Sequence, residues 1–143
     1  MDDMLTKSAT SVRNNFSATI DEAVRERPVF FKRARDTVFF MGEESMKDLL
    51  INVYFDAQRF TEEDGSVTVS LVDMDIVANG RDEPEAKERL AADIKEYADD
   101  YYRHYKRWSM APNRKNHIPY VIKALMLSLG EIGELIRCRT GKN

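Results

Sequence analysis

The chain has one cysteine, two histidines, four prolines and six glycines in 143 residues, and most of these scarcities remove a class of protein. A lone Cys138 excludes an internal disulfide and a multi-thiolate zinc site, and a free thiol is ordinarily a small buried hydrophobe. His104 and His117 stand thirteen residues apart with no carboxylate at metal-ligand spacing, so no metal is expected. There is no glycine-rich loop to cradle phosphates, no nucleophile elbow, and no Ser or Cys in a recognisable order with a His and an acid. Asp73 and Asp75 mimic a carboxylate pair, but aspartates at a strand end in a turn explain them as well. Neither an enzyme nor a cofactor is expected. The longest apolar stretch, Ile118 to Leu129, contains Lys123 and is too short to cross a bilayer. Met1-Asp2-Asp3-Met4 is acidic where an export signal needs positive charge, so a cytoplasmic protein without a membrane partner is expected.

Charge is present in quantity and is segregated. The net charge of −3 conceals fourteen acidic against five basic side chains between residues 51 and 100, and nine basic against two acidic between 101 and 143. Such asymmetry points to electrostatic partners, although an acidic helix facing solvent produces part of it. With 43% hydrophobic and 33% charged residues, the chain can bury one moderate core or two small ones; the change of pattern near residue 50 favours two.

From Thr10 to about Arg27, Val12, Phe16, Ile20 and Val24 recur every four residues, which predicts an amphipathic helix with that face inward. Ser8 or Thr10 can cap its start, Ser17 marks a break, and Pro28 ends the segment. Val29-Phe30-Phe31 and Val38-Phe39-Phe40-Met41 read as a hairpin. These runs are too continuously apolar for a sheet wetted on one face. One face is expected under the preceding helix and the other under a second copy of the chain, hence a homodimer. Glu43 to Leu50 reads as a short helix with Met46, Leu49 and Leu50 inward. Between Lys7 and Asp36, seven basic side chains face four acidic ones, a modest basic patch. Arg13 and Asn14 near the first helix, and Lys32, Arg33 and Arg35 at the hairpin corner, are the candidate DNA-contacting residues: arginine and lysine for phosphates, asparagine for an adenine edge.

Ser8-Ala9-Thr10, Arg13, Phe16-Ser17, Val24, Pro28-Val29, Lys32-Arg33, the return strand Val38 to Met41 and the helix Glu43 to Leu50 together resemble the prevent-host-death (Phd/YefM) antitoxins. That resemblance implies a DNA-binding, dimerising domain at residues 1–50. The family often carries glycine at the hairpin tip, where this chain has Ala34-Arg35-Asp36. A tight two-residue turn wants positive φ, so a longer or differently shaped turn is expected.

Beyond Ile51 the period becomes two. Ile51, Val53 and Phe55, then Val67, Val69 and Leu71 after the turn Thr61 to Gly65, predict a second hairpin, with a third strand in Asp73 to Ala78 stopped at Asn79-Gly80. Asp82-Glu83-Pro84-Glu85 is a helix start. The helix is expected to run to about Trp108, with Leu90, Ile94, Tyr97, Tyr101, Tyr105 and Trp108 on one stripe. Tyr97, Tyr101, Tyr105 and Trp108 are either core or a partner-binding surface, since such residues concentrate at tight interfaces. Ser109 to Asn116 reads as a linker, and Arg114 and Lys115 within it offer a nucleic-acid or acidic-partner contact. A further helix is expected from Pro119 to about Leu129, ended by Gly130, followed by the cluster Ile132, Leu135 and Ile136 and a basic tail.

The stretch from Val69 to Tyr97, with Gly80, Glu85 and Ala86 as its landmarks, resembles the HicB-like antitoxin domain; Asp73-Met74-Asp75 stands in place of the usual Pro-Gly-Cys element. Taken with the first resemblance, it implies an α+β protein: a small helix-and-hairpin domain over 1–50, then a HicB-like antiparallel sheet packed on a long helix over 51–143, plus an extra C-terminal helix. The implied function is the antitoxin of a bacterial toxin–antitoxin pair, binding a cognate protein toxin and its own operator DNA. A transcriptional regulator or a protein-interaction module without a toxin partner is the alternative.

Overall fold

The computed structural model describes residues 5–141. The fold is α+β, and the chain divides into two compact units, Met1–Ile51 and Asn52–Asn143.

In the first unit β1 (Thr6–Ser8) runs parallel to β2 (Val29–Arg33), which pairs antiparallel with β3 (Asp36–Phe40), giving the order β1-β2-β3. β1 was not legible in the sequence, since three residues are too few to show a period. The predicted helical segment is divided into two helices, α1 (Ala9–Asn14) and α2 (Phe16–Arg25). Ser8 caps α1, its hydroxyl accepting from the Ser11 amide at 3.0 Å. The break falls at Asn15 rather than Ser17: the Asn15 side chain donates to the Ser11 carbonyl at 3.0 Å, and its own carbonyl accepts from Thr19 Oγ1 at 2.8 Å.

That interruption turns α2 away from the predicted face. Thr19 and Ala23 are buried, whereas Phe16 and Val24 are 55% and 63% exposed. The hairpin turn is also a correction. Arg33 pairs with Asp36, so Ala34 and Arg35 close a two-residue loop, with Ala34 held at φ 53°. A residue with a Cβ occupies the left-handed region here, where glycine is the unstrained choice. In α3 (Glu43–Leu49) no residue is buried, and Leu49, expected inward, is 67% exposed.

In the second unit β4 (Phe55–Thr61), β5 (Val67–Leu71) and β6 (Val77–Gly80) form an antiparallel meander. β4 starts at Phe55 rather than Ile51, and β6 includes the Asn79-Gly80 expected to end it. The sheet is mixed rather than antiparallel. β7 (Ile136–Thr140), read from sequence as a basic tail, lies parallel to β4 and completes the order β6-β5-β4-β7.

Across one face lies α4 (Glu83–Arg103), with its N-cap Asp82 accepting from the Glu85 amide at 2.9 Å. It stops at His104, and α5 (Tyr105–Ser109) follows as a separate short helix. The expected linker is a folded turn ending in a 3-10 segment, Lys115–His117. The single predicted C-terminal helix is again two, α6 (Ile118–Leu125) and α7 (Leu129–Leu135). Gly130 therefore sits inside α7 rather than ending a helix, because Ser128 and Glu131 form a capping box that starts a new one. Phe55, Val69, Leu90, Ile94, Tyr101, Val121 and Ile132 are the large side chains at the centre of the core.

Candidate functional site

In the first unit, backbone register places the start of α1 beside the hairpin corner that holds Lys32, Arg33 and Arg35. Ser8 pairs with Lys32, and the same Ser8 caps α1. The helix therefore leaves the sheet at the end where the hairpin turns, and it carries Arg13 in its last turn. Arg13, Asn14, Lys32, Arg33 and Arg35 are all exposed. Arg13, Arg33 and Arg35 make no ion pair among the described residues, while Lys7 is held by Glu22 at 3.3 Å. Exposed arginines that make no ion pair among the described residues are able to bond phosphate oxygens.

The opposite property occupies the rest of this unit. Phe16 packs edge-on against Phe40, and Phe40 against Phe31, so the helices cover that face of the hairpin. Phe30 and Phe39 meet edge-on on the other face, with Phe39 still 55% exposed. Among the described residues of this unit only Val12, Thr19, Ala23 and Val29 are buried. About fifty residues with so small a core are marginal alone, and large exposed apolar patches mark interaction surfaces.

The aromatic stripe of the second unit is mostly core. Tyr101 is fully buried and its hydroxyl donates to the Arg114 carbonyl at 2.8 Å, leaving it no surface for a partner. Tyr97, Tyr105 and Trp108 are partly buried and packed against the core cluster. Arg114, a candidate contact in the sequence, lies with its guanidinium 4.1 Å from the Trp108 ring centre and 5.7 Å from that of Tyr97, so it serves as the lid of the stripe. His117 is buried, its Nδ1 2.6 Å from the Tyr97 hydroxyl, and burial pushes its pKa below the usual histidine value. The sequence had not distinguished these two side chains from surface residues, because their partners lie six to twenty positions away.

Sequence reasoning also missed three side chains that brace the second unit. Lys123, in the apolar helix α6, is buried; its Nζ donates to the Val53 carbonyl at 2.6 Å and faces the Tyr54 ring. Desolvation lowers its pKa. Lys95 donates to the carbonyls of Ala124, Leu125 and Leu127 at 2.9, 3.4 and 2.6 Å, closing the C-terminal end of α6. Arg137 of β7 forks onto Asp56 of β4 at 2.7 and 3.0 Å and stacks on Tyr54, and that hydrogen bonding holds the Asp56 carboxyl below its usual range. Asp73 accepts a hydrogen bond from Tyr120, whose hydroxyl pKa is pushed up to about 12, chiefly by burial. This gives Asp73 a structural partner.

Between α4 and α7 lies an open groove of about 560 Å³, floored by Ala91, Ala92, Gly130 and Gly133 and edged by Lys87, Glu88, Leu129 and Glu134. The one cue to it in the sequence is a pair of glycines three apart within a capped helix. No group of three or more His, Cys, Asp or Glu side chains that could hold a metal occurs among the described residues. No helix among them is long and apolar enough to cross a membrane.

Comparison with known proteins places this architecture. A family model described as PHD-like, antitoxin of toxin–antitoxin, RelE/RelB, TA system, matches residues 4–137. Among solved structures, the chain is similar to the crystal structure of an antitoxin part of a proposed toxin/antitoxin system from Syntrophomonas wolfei subsp. wolfei. Identity is 39%, the TM-score is 0.91, and the match covers 95% of this chain and 99% of that one. No curated protein matches the chain.

Proposed function

Given that the chain belongs to the PHD-like antitoxin family of toxin–antitoxin systems, we propose that it neutralises a cognate protein toxin by direct binding through residues 52–143. On the same reading it represses its own operon by binding operator DNA through residues 1–51. It works in the cytoplasm, where both partners are found, and by binding rather than catalysis.

The observation that carries the DNA half is that Arg33 and Arg35 at the hairpin corner, and Arg13 on the helix that starts beside that corner, are exposed and make no ion pair among the described residues. Two copies would join through the apolar side chains that this unit leaves open, chiefly Phe16 and Val24 of α2 and Phe39 of β3. Pairing doubles the cationic ends and presents them about a two-fold axis, so the operator is read as an inverted repeat whose half-site spacing follows the dimer. This follows the prevent-host-death type for the first unit. A HicB-like role is assigned to the second, and its antiparallel meander leading through Gly80 into the capped α4 supports that reading.

The test is fluorescence anisotropy with a labelled duplex from the chain's own promoter. Arg13→Ala with Arg33→Ala is expected to weaken binding and to flatten the slope of log affinity against log salt by about 2, about one unit per lost phosphate contact. Full-strength binding by this double variant removes the DNA assignment. Deleting residues 52–143 is expected to abolish protection of cells from the toxin, and a truncated chain that still protects them contradicts the division of roles.

A further inference from the structure

We infer that the groove between α4 and α7 is the seat for a cationic amphipathic helix of the toxin; this rests on the reading that the second unit is the toxin-binding one. Both walls are helices, so the groove offers no strand edge. An occupant therefore engages it with side chains. A trough between two helices is the shape that a third helix fills, with apolar anchors at i, i+3 or i+4 and i+7. The floor is apolar, and Leu129 stands 53% exposed at its edge.

The floor is also emptier than the fold requires. Gly130 and Gly133 lie inside a seven-residue helix with ordinary negative φ, and a Cβ added at either meets nothing within 4 Å. Glycine is the poorest helix former after proline. Neither turn geometry nor close packing within the chain explains two of them here, and both open onto the groove.

Charge selects the partner. Of the ionisable residues at the edge, Lys87 is engaged by Glu83 at 3.7 Å, while Glu88 on α4 and Glu134 on α7 make no ion pair among the described residues. The exposed α4 surface continues with Glu96 and Asp99. Acidic walls over an apolar floor take a helix with basic flanks and an apolar stripe. A second copy of this chain does not supply one. Its cationic α5 has five residues, α6 spends Val121 and Ala124 on its own core, and the open Phe16 and Val24 of α2 are taken by the pairing proposed for the first unit.

The test is titration calorimetry between the full chain and the purified product of the adjacent reading frame, in a catalytically silent form, at low and at about 0.15 M salt. Gly133→Phe fills the groove, and Glu88→Lys with Glu134→Lys reverses its walls. Each is expected to weaken binding by about tenfold or more, the loss from one displaced anchor or one lost close charge pair. The wall variant is also expected to abolish the salt sensitivity of the wild type. Circular dichroism and the thermal midpoint report folding. Should Gly133→Phe fail to fold, the wall variant decides alone, because both positions are exposed. If the wild type binds and the folded variants bind within about twofold of it, the groove assignment is overturned while the antitoxin reading stands. If the wild type does not bind the neighbouring product at all, both fall together.

Discussion

Replacing Gly80 with alanine drives a methyl group into backbone. A Cβ at this position lies 2.5 Å from the Ala86 nitrogen, 2.9 Å from the Glu85 carbonyl carbon and 3.0 Å from the Ala86 Cα. Nothing there is the movable end of a side chain, so β6 and the first turn of α4 must separate by about 1 Å to restore ordinary contact. The same turn carries the Asp82 cap and the buried Ala86, which shift with it. Overpacking of this kind costs about 1–3 kcal/mol, and a backbone-to-backbone clash belongs at the upper end. In a unit of about ninety residues each kcal/mol moves the midpoint by about 4–8 °C, so the variant should melt about 15 °C lower. Trp108 is the only tryptophan and lies in this unit beneath Arg114, so its fluorescence reports the transition without interference from residues 1–51. A Gly80→Ala protein within about 0.5 kcal/mol of wild type would refute the close approach of β6 to α4. The contrast is Gly133→Ala, where the new methyl meets open space and helix propensity alone acts; stability should rise by about 0.5–1 kcal/mol in the same assay.

Three further outcomes follow from the bracing side chains. Lys95→Met removes the donor to three carbonyls at the end of α6 and should lower the stability of the second unit by about 1–3 kcal/mol by urea titration; no loss would mean that water replaces the ammonium. His117 has a folded-state pKa below 6.5, so its neutral form stabilises the fold fully above that pH. That contribution is lost as pH falls below 6.5 toward the folded value, because the unfolded chain takes up the proton first. The Trp108-monitored midpoint should therefore drop on acidification, and His117→Gln should flatten the drop; an identical pH profile for both proteins would remove this role. Asp56 is held below its normal pKa by Arg137, so Asp56→Asn should loosen β7 from β4. Faster amide exchange at residues 136–140 with protection of β5 unchanged would show it, whereas unchanged exchange along β7 would separate the ion pair from the strand pairing.

How much was legible varies by element, and the variation has physical causes. The hairpin of β2 and β3, the meander, the start of α4 and the two-unit division were readable because each rests on local signals: apolar runs around a polar corner, a period of two, a capping box, a change of pattern. Helix ends were misplaced where a side chain, rather than a proline or glycine, breaks the helix: Asn15 by bonding its own backbone, and Ser128 by starting α7. Gly130, a helix terminator by residue type, lies in the first turn of α7 because the Ser128–Glu131 box starts a helix there. The hidden strands β1 and β7 are both parallel partners, and parallel pairing joins residues far apart in the chain, so no local period announces it.

Among the functional candidates, the arginines were identifiable by type and position, but the approach of the start of α1 to the hairpin corner was not. It depends on the register that puts Ser8 opposite Lys32. The aromatic stripe was visible as a stripe. Its direction was not, since a helix of this period packs the same residues against its own sheet or against a partner, and only the turn that carries Arg114 over Trp108 closes the second option for Tyr101.

The sequence by itself determined the antiparallel strands, most of the helices and where the charge of each sign lies, because those follow from the type and spacing of neighbouring residues. Only the tertiary structure decided which apolar faces are spent and which are left over: that Phe16, Val24 and Phe39 stay open in the first unit, and that α4 and α7 leave a trough between acidic walls in the second. A hydrophobic side chain looks the same in sequence whether it fills a core or waits for a partner; the difference is made by what the rest of the chain brings against it.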